Sequence, residues 1–431
     1  MSITAPGDRR MALQVAAAAL GFRLASALLG LLCNIVFPLD QPEQFTVFGT
    51  TSPFWDAFAR YDSGYFQGIA WSGYAPAPGG RSNIAYFPVY PLLIRWIGEP
   101  FGHHHATYYI AAIAIAWTSY VLAAVVFYRL ARLDLPVDAA ARAVLLLSIF
   151  PFGFFFGVAY SESTYLLFAV LAFYLFRTDR FVLGGLCGGI AAATRVPGIL
   201  MWPALAWIAF RRTAASGTGP PDMAPAAAVR GTAPAGAMVG ATTSASVAAG
   251  TAVPAAAAPG RRRRVRAAVG LALAGSGLAA YSAYIWMLTG HPFEWAATLQ
   301  RWGYYPGGRP WLAPLRLLAN LATHPYAYLA GDRMAPYDAL YGLTGIAFVI
   351  LVPLVWRRFG AAYGAFMLAN LYLPLSAGVF EGVGRYCAVL FPAFLWLATI
   401  RTRPLATALV VGFAMFYTLG LALFTTVHPL F

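Results

Sequence analysis

The stretch FVLGGLCGGIAAATRVPGILMWPALAWIAF, residues 181–210, decides how this chain is threaded. It is an apolar run of about 30 residues, where one untilted membrane pass needs roughly 20. Arg195-Val196-Pro197-Gly198 interrupts it. Proline removes a helix donor and glycine favours a break, so the run reads as two short helices in a hairpin with Arg195 at the tip.

Arginines around the run test that reading. With Arg9 and Arg10 in the cytoplasm, the positive-inside rule puts Arg129, Arg132, Arg142, Arg177 and Arg180 on the same side. A hairpin at 181–210 keeps Arg211, Arg212, Arg261 to Arg264, Arg357, Arg358, Arg401 and Arg403 there too. A single pass would send every later cluster outside.

The rest of the chain is equally apolar. Hydrophobic residues make up 60%, charged residues 10%, and mean hydropathy is +0.66. Soluble domains carry about a quarter charged residues. Apolar runs lie at 13–37, 106–130, 143–160, 163–176, 267–288, 339–356, 361–379, 386–400 and 405–427. The expected fold is an all-α polytopic bundle of about 11 transmembrane helices, with a cytoplasmic N-terminus, an external C-terminus and a long first external loop.

Three parts are expected. Residues 1–212 form an N-terminal transmembrane part with its external loop at 38–105. Residues 213–266 form a disordered cytoplasmic linker rich in Ala, Pro and Gly, ending in an arginine run. Residues 267–431 form a C-terminal transmembrane part with an external aromatic loop at 290–336. The chain carries 29 basic residues, all arginine, and a net charge of +14. On this topology the excess charge lies on the cytoplasmic face, where it reads as orientation and contact with membrane lipid, not as a nucleic-acid groove. The lysine-free, alanine-rich composition points to a GC-rich bacterial genome, and so to a bacterial cytoplasmic membrane. The first span shows no small-residue cleavage site and is expected to stay as an anchor.

Cys33, Cys187 and Cys387 lie in or beside apolar runs, without metal-ligand spacing, and read as small packing residues. No cofactor and no metal site is expected. His103-His104-His105 is the nearest thing to a metal tract, but no acid cluster accompanies it.

The external side collects the chemistry. The first loop reads RYDSGYFQGIAWSGY over 60–74 and SNIAYFPVYPLL over 82–93. Asp62 is a carboxylate among aromatic rings at the wet edge of the membrane. Glycosyl transfer needs such a group to take the proton of the attacking hydroxyl. A single carboxylate suits an inverting displacement, whereas retaining hydrolases use a close pair. The alternative is that Asp62 merely caps a helix starting at Ser63, beside Tyr61. Asp56 is a second carboxylate, a metal ligand or a solvated loop acid. Arg60 either pairs with Asp62 or contacts a phosphate.

Glu162, in Tyr160-Ser161-Glu162-Ser163, needs a partner at membrane depth, and Arg195 is the candidate. Its other reading is a helix-start acid stabilised by the dipole. Arg195 can bind a lipid phosphate in fork geometry, or serve only as the partner of Glu162. Arg385, in Glu381-Gly382-Val383-Gly384-Arg385-Tyr386, is a second phosphate candidate or an interface cation. Arg23 falls deep in the first span and should face the bundle interior, as a structural pair or a functional group. Trp295, Trp302, Tyr304, Tyr305 and Trp311, with His291 and Glu294, read as interface anchors, some able to stack on a sugar or an isoprenoid chain.

Taken in order, RYDSGY, SNIAYFPVYPL, YSES, ATRVPG and GRYCAVLFP resemble the GPI mannosyltransferase II family, above all its bacterial relatives, within the GT-C class of membrane glycosyltransferases. The similarity runs over 55–394 apart from the 213–266 insert. The resemblance implies a polyprenyl- or dolichyl-phosphate-linked donor, usually of mannose, used on the non-cytoplasmic face. It also implies that the first-loop acid, here Asp62, is the base. The family reads Trp-Asp-Ser where this chain has Tyr61-Asp62-Ser63, and Trp-Tyr where it has Tyr65-Phe66. The expected function is transfer of a sugar from a polyprenyl-phosphate donor to a glycolipid, polysaccharide or protein acceptor. A transporter or flippase of lipid-linked saccharides is the rival, and it should show internal repeats and discontinuous helices in matching halves; no repeat is evident.

Overall fold

The computed structural model describes residues 6–40, 52–214, 259–303, 308–326, 336–378, 380, 382–428 and 430. Tyr304, Tyr305, Glu381 and most of the expected linker lie outside them. Secondary structure among the described residues is helical throughout. Five helices are long and apolar enough to cross a membrane: Arg9–Val36, His105–Ala131, Gly260–Thr289, Ala339–Phe359 and Arg403–Thr425. The chain is an integral membrane protein.

Residues 181–210 fold back on themselves. Helix Phe181–Ala192 ends before Arg195, a short turn of helix covers Pro197–Leu200, and helix Trp202–Ala214 returns. An ion pair closes the return: Arg212 donates to both carboxylate oxygens of Asp179, at 2.5 and 2.6 Å. Arg263 joins the same carboxylate at 2.6 Å. Helix Pro259–Thr289 therefore begins ahead of the expected boundary at 267, and Arg261 to Arg264 lie in its first turns. It packs against Phe181–Ala192 through glycines: a Cβ on Gly277 would stand 1.8 Å from the Gly189 carbonyl, and one on Gly185 would stand 2.0 Å from that of Gly270. Such small residues let two helix backbones touch.

Two expected spans are not continuous helices. The 143–160 run forms helix Val137–Ser148 and then a 3-10 turn at Gly153–Gly157. Pro151 and Gly153 stop the helix. The irregular backbone is tolerated because it faces protein: every residue from Leu146 to Leu167 is buried. Side chains from elsewhere satisfy its carbonyls. Arg23 donates to Gly153 at 3.2 Å, Trp117 to Gly157 at 2.8 Å and Ser163 to Phe156 at 2.9 Å. The 386–400 run divides into Val383–Ala388 and Phe391–Leu397, with Pro392 at the break.

The first loop is also helical. Pro53–Asp56, Ser63–Ser72 and Val89–Gly98 lie between the first span and His105–Ala131. One bundle end gathers Asp62, Glu162, Arg195 and Arg385. The other end holds Arg177 bonded to Asp134, beside Asp179. Helix Glu162–Arg177 separates the two ends by 16 residues, roughly 24 Å at 1.5 Å per residue.

Candidate active site

The site is built on the turn before helix Ser63–Ser72. Tyr61 adopts a left-handed backbone, φ 48°. Such a conformation is costly for a bulky residue and is kept only where surrounding contacts demand it. Here the Tyr61 hydroxyl donates to the His428 carbonyl at 2.5 Å, and its ring stands edge-on to Phe424 at 5.7 Å. The Ser63 hydroxyl donates to the Arg60 carbonyl at 2.6 Å and tightens the turn. The helix does begin at Ser63, yet the Asp62 carboxylate makes no capping bond to it. It turns outward instead.

There it meets two donors. Tyr86 donates to Oδ1 at 2.9 Å and Arg385 Nη1 to Oδ2 at 2.6 Å. The Asp62 amide donates to the Tyr160 hydroxyl at 3.3 Å. Burial pushes the Tyr86 hydroxyl up from its ordinary value, and the neighbouring Asp62 charge adds to the shift. Tyr86 therefore keeps its proton and donates.

Arg385 continues the chain of charges. Its Nε donates to Glu162 Oε1 at 2.6 Å, and Arg195 pairs with the same oxygen. The sequence of contacts is Asp62, Arg385, Glu162, Arg195. Glu162 is fully buried. A lone carboxylate there would be costly, and the two guanidinium groups compensate it. The Arg385 guanidinium also lies over the Tyr160 ring, 4.5 Å from its centre. The expected Glu162–Arg195 pair is present. The expected phosphate role of Arg385 meets an obstacle, because its Nε and Nη1 are already committed to two acids.

Arg60 departs from its expected role at the phosphate. It is fully buried and absent from the cavity lining. It pairs with Asp56 at 2.5 Å, while its Nη2 donates to Asn34 Oδ1 at 3.0 Å and the Thr425 carbonyl at 3.3 Å. Asp56, one helical turn earlier, is the nearer acid, so this pair ties the first and last helices together. Arg23 is buried too, over the Tyr120 ring at 4.5 Å. The histidine tract packs on Trp71, with the His105 ring stacked at 4.0 Å and the His103 ring tilted at 3.9 Å.

The carboxylate of Asp62 lines a cavity of about 510 Å³. That volume suits a small-molecule site. Arg195, Arg385, Tyr61 and Tyr86 share the lining, as do Tyr65, Arg81 and Trp302. Tyr65 stacks on Tyr86 at 4.7 Å, and Trp302 stands edge-on to Tyr65 at 5.2 Å. Trp302 donates to the Ser82 carbonyl at 3.1 Å, and Tyr281 to that of Ile84 at 2.6 Å. The C-terminal part therefore shapes the first loop. Trp295 bonds Ser282, and Glu294 pairs with Arg301 at 2.5 Å. Trp311 is exposed.

Sequence reasoning gave no role to Tyr86, Tyr160 or Arg81. Tyr86 lies within the quoted 82–93 motif, but nothing in the spacing tells that its hydroxyl meets Asp62. Trp302 was one aromatic among several.

No curated protein matches this chain. Solved structures with a similar course include the Archaeoglobus fulgidus oligosaccharyltransferase tethered to an acceptor peptide. That likeness has a TM-score of 0.46 and 15% identity, over 95% of this chain and 55% of that one. The same enzyme in its apo form gives 0.40 and 13%, over 95% and 56%. In complex with an inhibitory peptide and a dolichol-phosphate it gives 0.38 and 13%, over 95% and 55%. The chain spans about half the length of these structures. Residues 23–216, which carry Asp62, Tyr86, Tyr160, Glu162 and Arg195, match the family model described as Mannosyltransferase (PIG-V).

Proposed function

We propose that the chain is a membrane glycosyltransferase of the GT-C kind. It moves a sugar, mannose by family, from a polyprenyl-phosphate donor to a glycolipid, polysaccharide or protein acceptor by inverting single displacement. The site works on the non-cytoplasmic face of a bacterial membrane. One observation carries the reading: the Asp62 carboxylate forgoes the helix cap and faces a cavity in which it is the one lining acid among the described residues.

Asp62 takes the acceptor hydroxyl proton as the oxygen attacks the anomeric carbon. The anomeric bond to phosphate oxygen breaks, and its electron pair leaves with the carrier. Arg385 and Tyr86 hold the direction of the carboxylate. Arg195, aimed by Glu162, offers its remaining N–H groups to the phosphate. Tyr61 and Ser63 keep the turn. The displacement requires no cofactor.

The test uses purified protein in detergent with radiolabelled polyprenyl-phosphate mannose and membrane glycolipids as acceptors. Wild type should transfer label covalently. Asp62→Asn should lose roughly 10²–10⁴-fold in rate while the protein remains folded. An Asp62→Asn enzyme of normal rate refutes the base, and movement of intact donor without covalent transfer refutes the enzyme.

A further inference from the structure

The charges around the cavity fall into two groups. Asp62, Arg385, Glu162 and Arg195 form a bonded chain of two acids and two arginines, formally neutral. Arg81 stands outside it. Its guanidinium lies over the Trp302 ring, 5.3 Å from the centre, and its Nε donates to the Arg301 carbonyl at 3.2 Å. Arg301 itself takes the acid on that wall, Glu294. Among the described residues Arg81 has no carboxylate partner, yet it lines the cavity.

The order of contacts sets Arg81 apart from the base. Asp62 is bonded to Tyr86, the Tyr86 ring is 6.3 Å from that of Trp302, and Trp302 carries Arg81. Asp62 and Arg81 are thus linked through two rings, Tyr86 and Trp302.

We infer that Arg81 is a second cation that, with Arg195, receives the phosphate of the lipid-linked donor, across the aromatic wall from Asp62. The inference rests on the glycosyltransferase reading and refines its donor site. In a single displacement the nucleophile and the leaving group occupy opposite sides of the anomeric carbon. The base lies beside the nucleophile, so the phosphate must lie away from Asp62. Arg385, bonded to Asp62, is on the base's side. Electrostatics agrees. As the C–O bond breaks, the phosphate gains negative charge. The four-residue chain is formally neutral and offers only the remaining N–H groups of Arg195, whereas Arg81 adds a net positive charge. A pyranose then rests against Tyr65 and Trp302, between base and cation.

The experiment measures binding to the purified full-length protein in detergent, with three probes: polyprenyl phosphate, polyprenyl-phosphate mannose and inorganic phosphate. Arg81→Gln should weaken both lipid probes at least tenfold at an unchanged melting temperature. The loss should be greater for polyprenyl phosphate, whose terminal phosphate carries more charge. Arg81→Lys should recover most of the affinity. If Arg81→Gln binds both lipid probes like wild type, the inference falls while the Asp62 base stands. If only inorganic phosphate binding suffers, Arg81 serves a free anion and the inference also falls. If wild type binds neither lipid probe, the donor reading itself fails, and the inference with it.

Discussion

Arg385 and Asp62 are 323 residues apart in sequence, and the guanidinium donates to the carboxylate at 2.6 Å. The same arginine reaches Glu162, so the first loop, the start of helix Glu162–Arg177 and the segment Val383–Ala388 meet through one side chain. The candidate base is thereby held by a part of the chain outside the 23–216 family match.

Glu162 should be the most sensitive residue of that junction. It is fully buried between two guanidinium groups. Removing one member of a buried pair leaves uncompensated charge and costs about 3–5 kcal/mol. Glu162→Ala is expected to lower the melting temperature in detergent sharply and to abolish transfer. A Glu162→Ala protein as stable as wild type would show that Arg195 and Arg385 do not depend on it.

The Asp56–Arg60 pair should behave as structure alone. Arg60→Met or Asp56→Leu is expected to destabilise by about 3–5 kcal/mol, and the double change to recover most of the loss, because two apolar groups need no compensation. Thermal melts of the three variants form the cycle. Donor KM should stay at the wild-type value in the double variant. A selective rise in donor KM would return Arg60 to the phosphate.

Close packing at the helix hairpin makes Gly277 intolerant. Its Cβ would lie 1.8 Å from a backbone carbonyl, which cannot swing aside like a side chain. Gly277→Ala should cost about 1–3 kcal/mol, towards the upper end of overpacking. Gly275 has nothing within 4 Å, so Gly275→Ala serves as the matched control, expected to melt like wild type.

Acid should loosen the opposite end of the bundle through Asp179. Burial pushes its carboxyl up, but the bonds and charges of Arg212 and Arg263 outweigh burial and hold it below the ordinary 3.8. A depressed folded-state value means that the contribution is full above the unfolded value and is lost as pH falls through the folded one. Melting temperature should therefore drop below about pH 4 more steeply in wild type than in Asp179→Asn. Parallel curves for the two proteins would remove Asp179 from the clamp.

Much of the architecture could be read locally. The hairpin at 181–210 was legible because Arg195, Pro197 and Gly198 break an apolar run too long for one pass. The Asp179–Arg212 bond bears it out. The 143–160 and 386–400 runs misled, because hydropathy does not separate lipid-facing helix from protein-buried turns. Pro151 and Pro392 were the available signals.

The site was legible as a set of residues but not as a set of bonds. Asp62, Glu162, Arg195 and Arg385 come together as their common placement on one side suggested. Arg60 goes elsewhere, since a buried acid lies one turn away. By itself the sequence determined a greasy, helical, membrane-embedded chain, because span length, proline breaks and arginine bias act within short stretches. Which arginine faces which acid, and which is left for a ligand, was decided only by tertiary packing. Like charges of one residue type are interchangeable in sequence, and only burial and distance distinguish them.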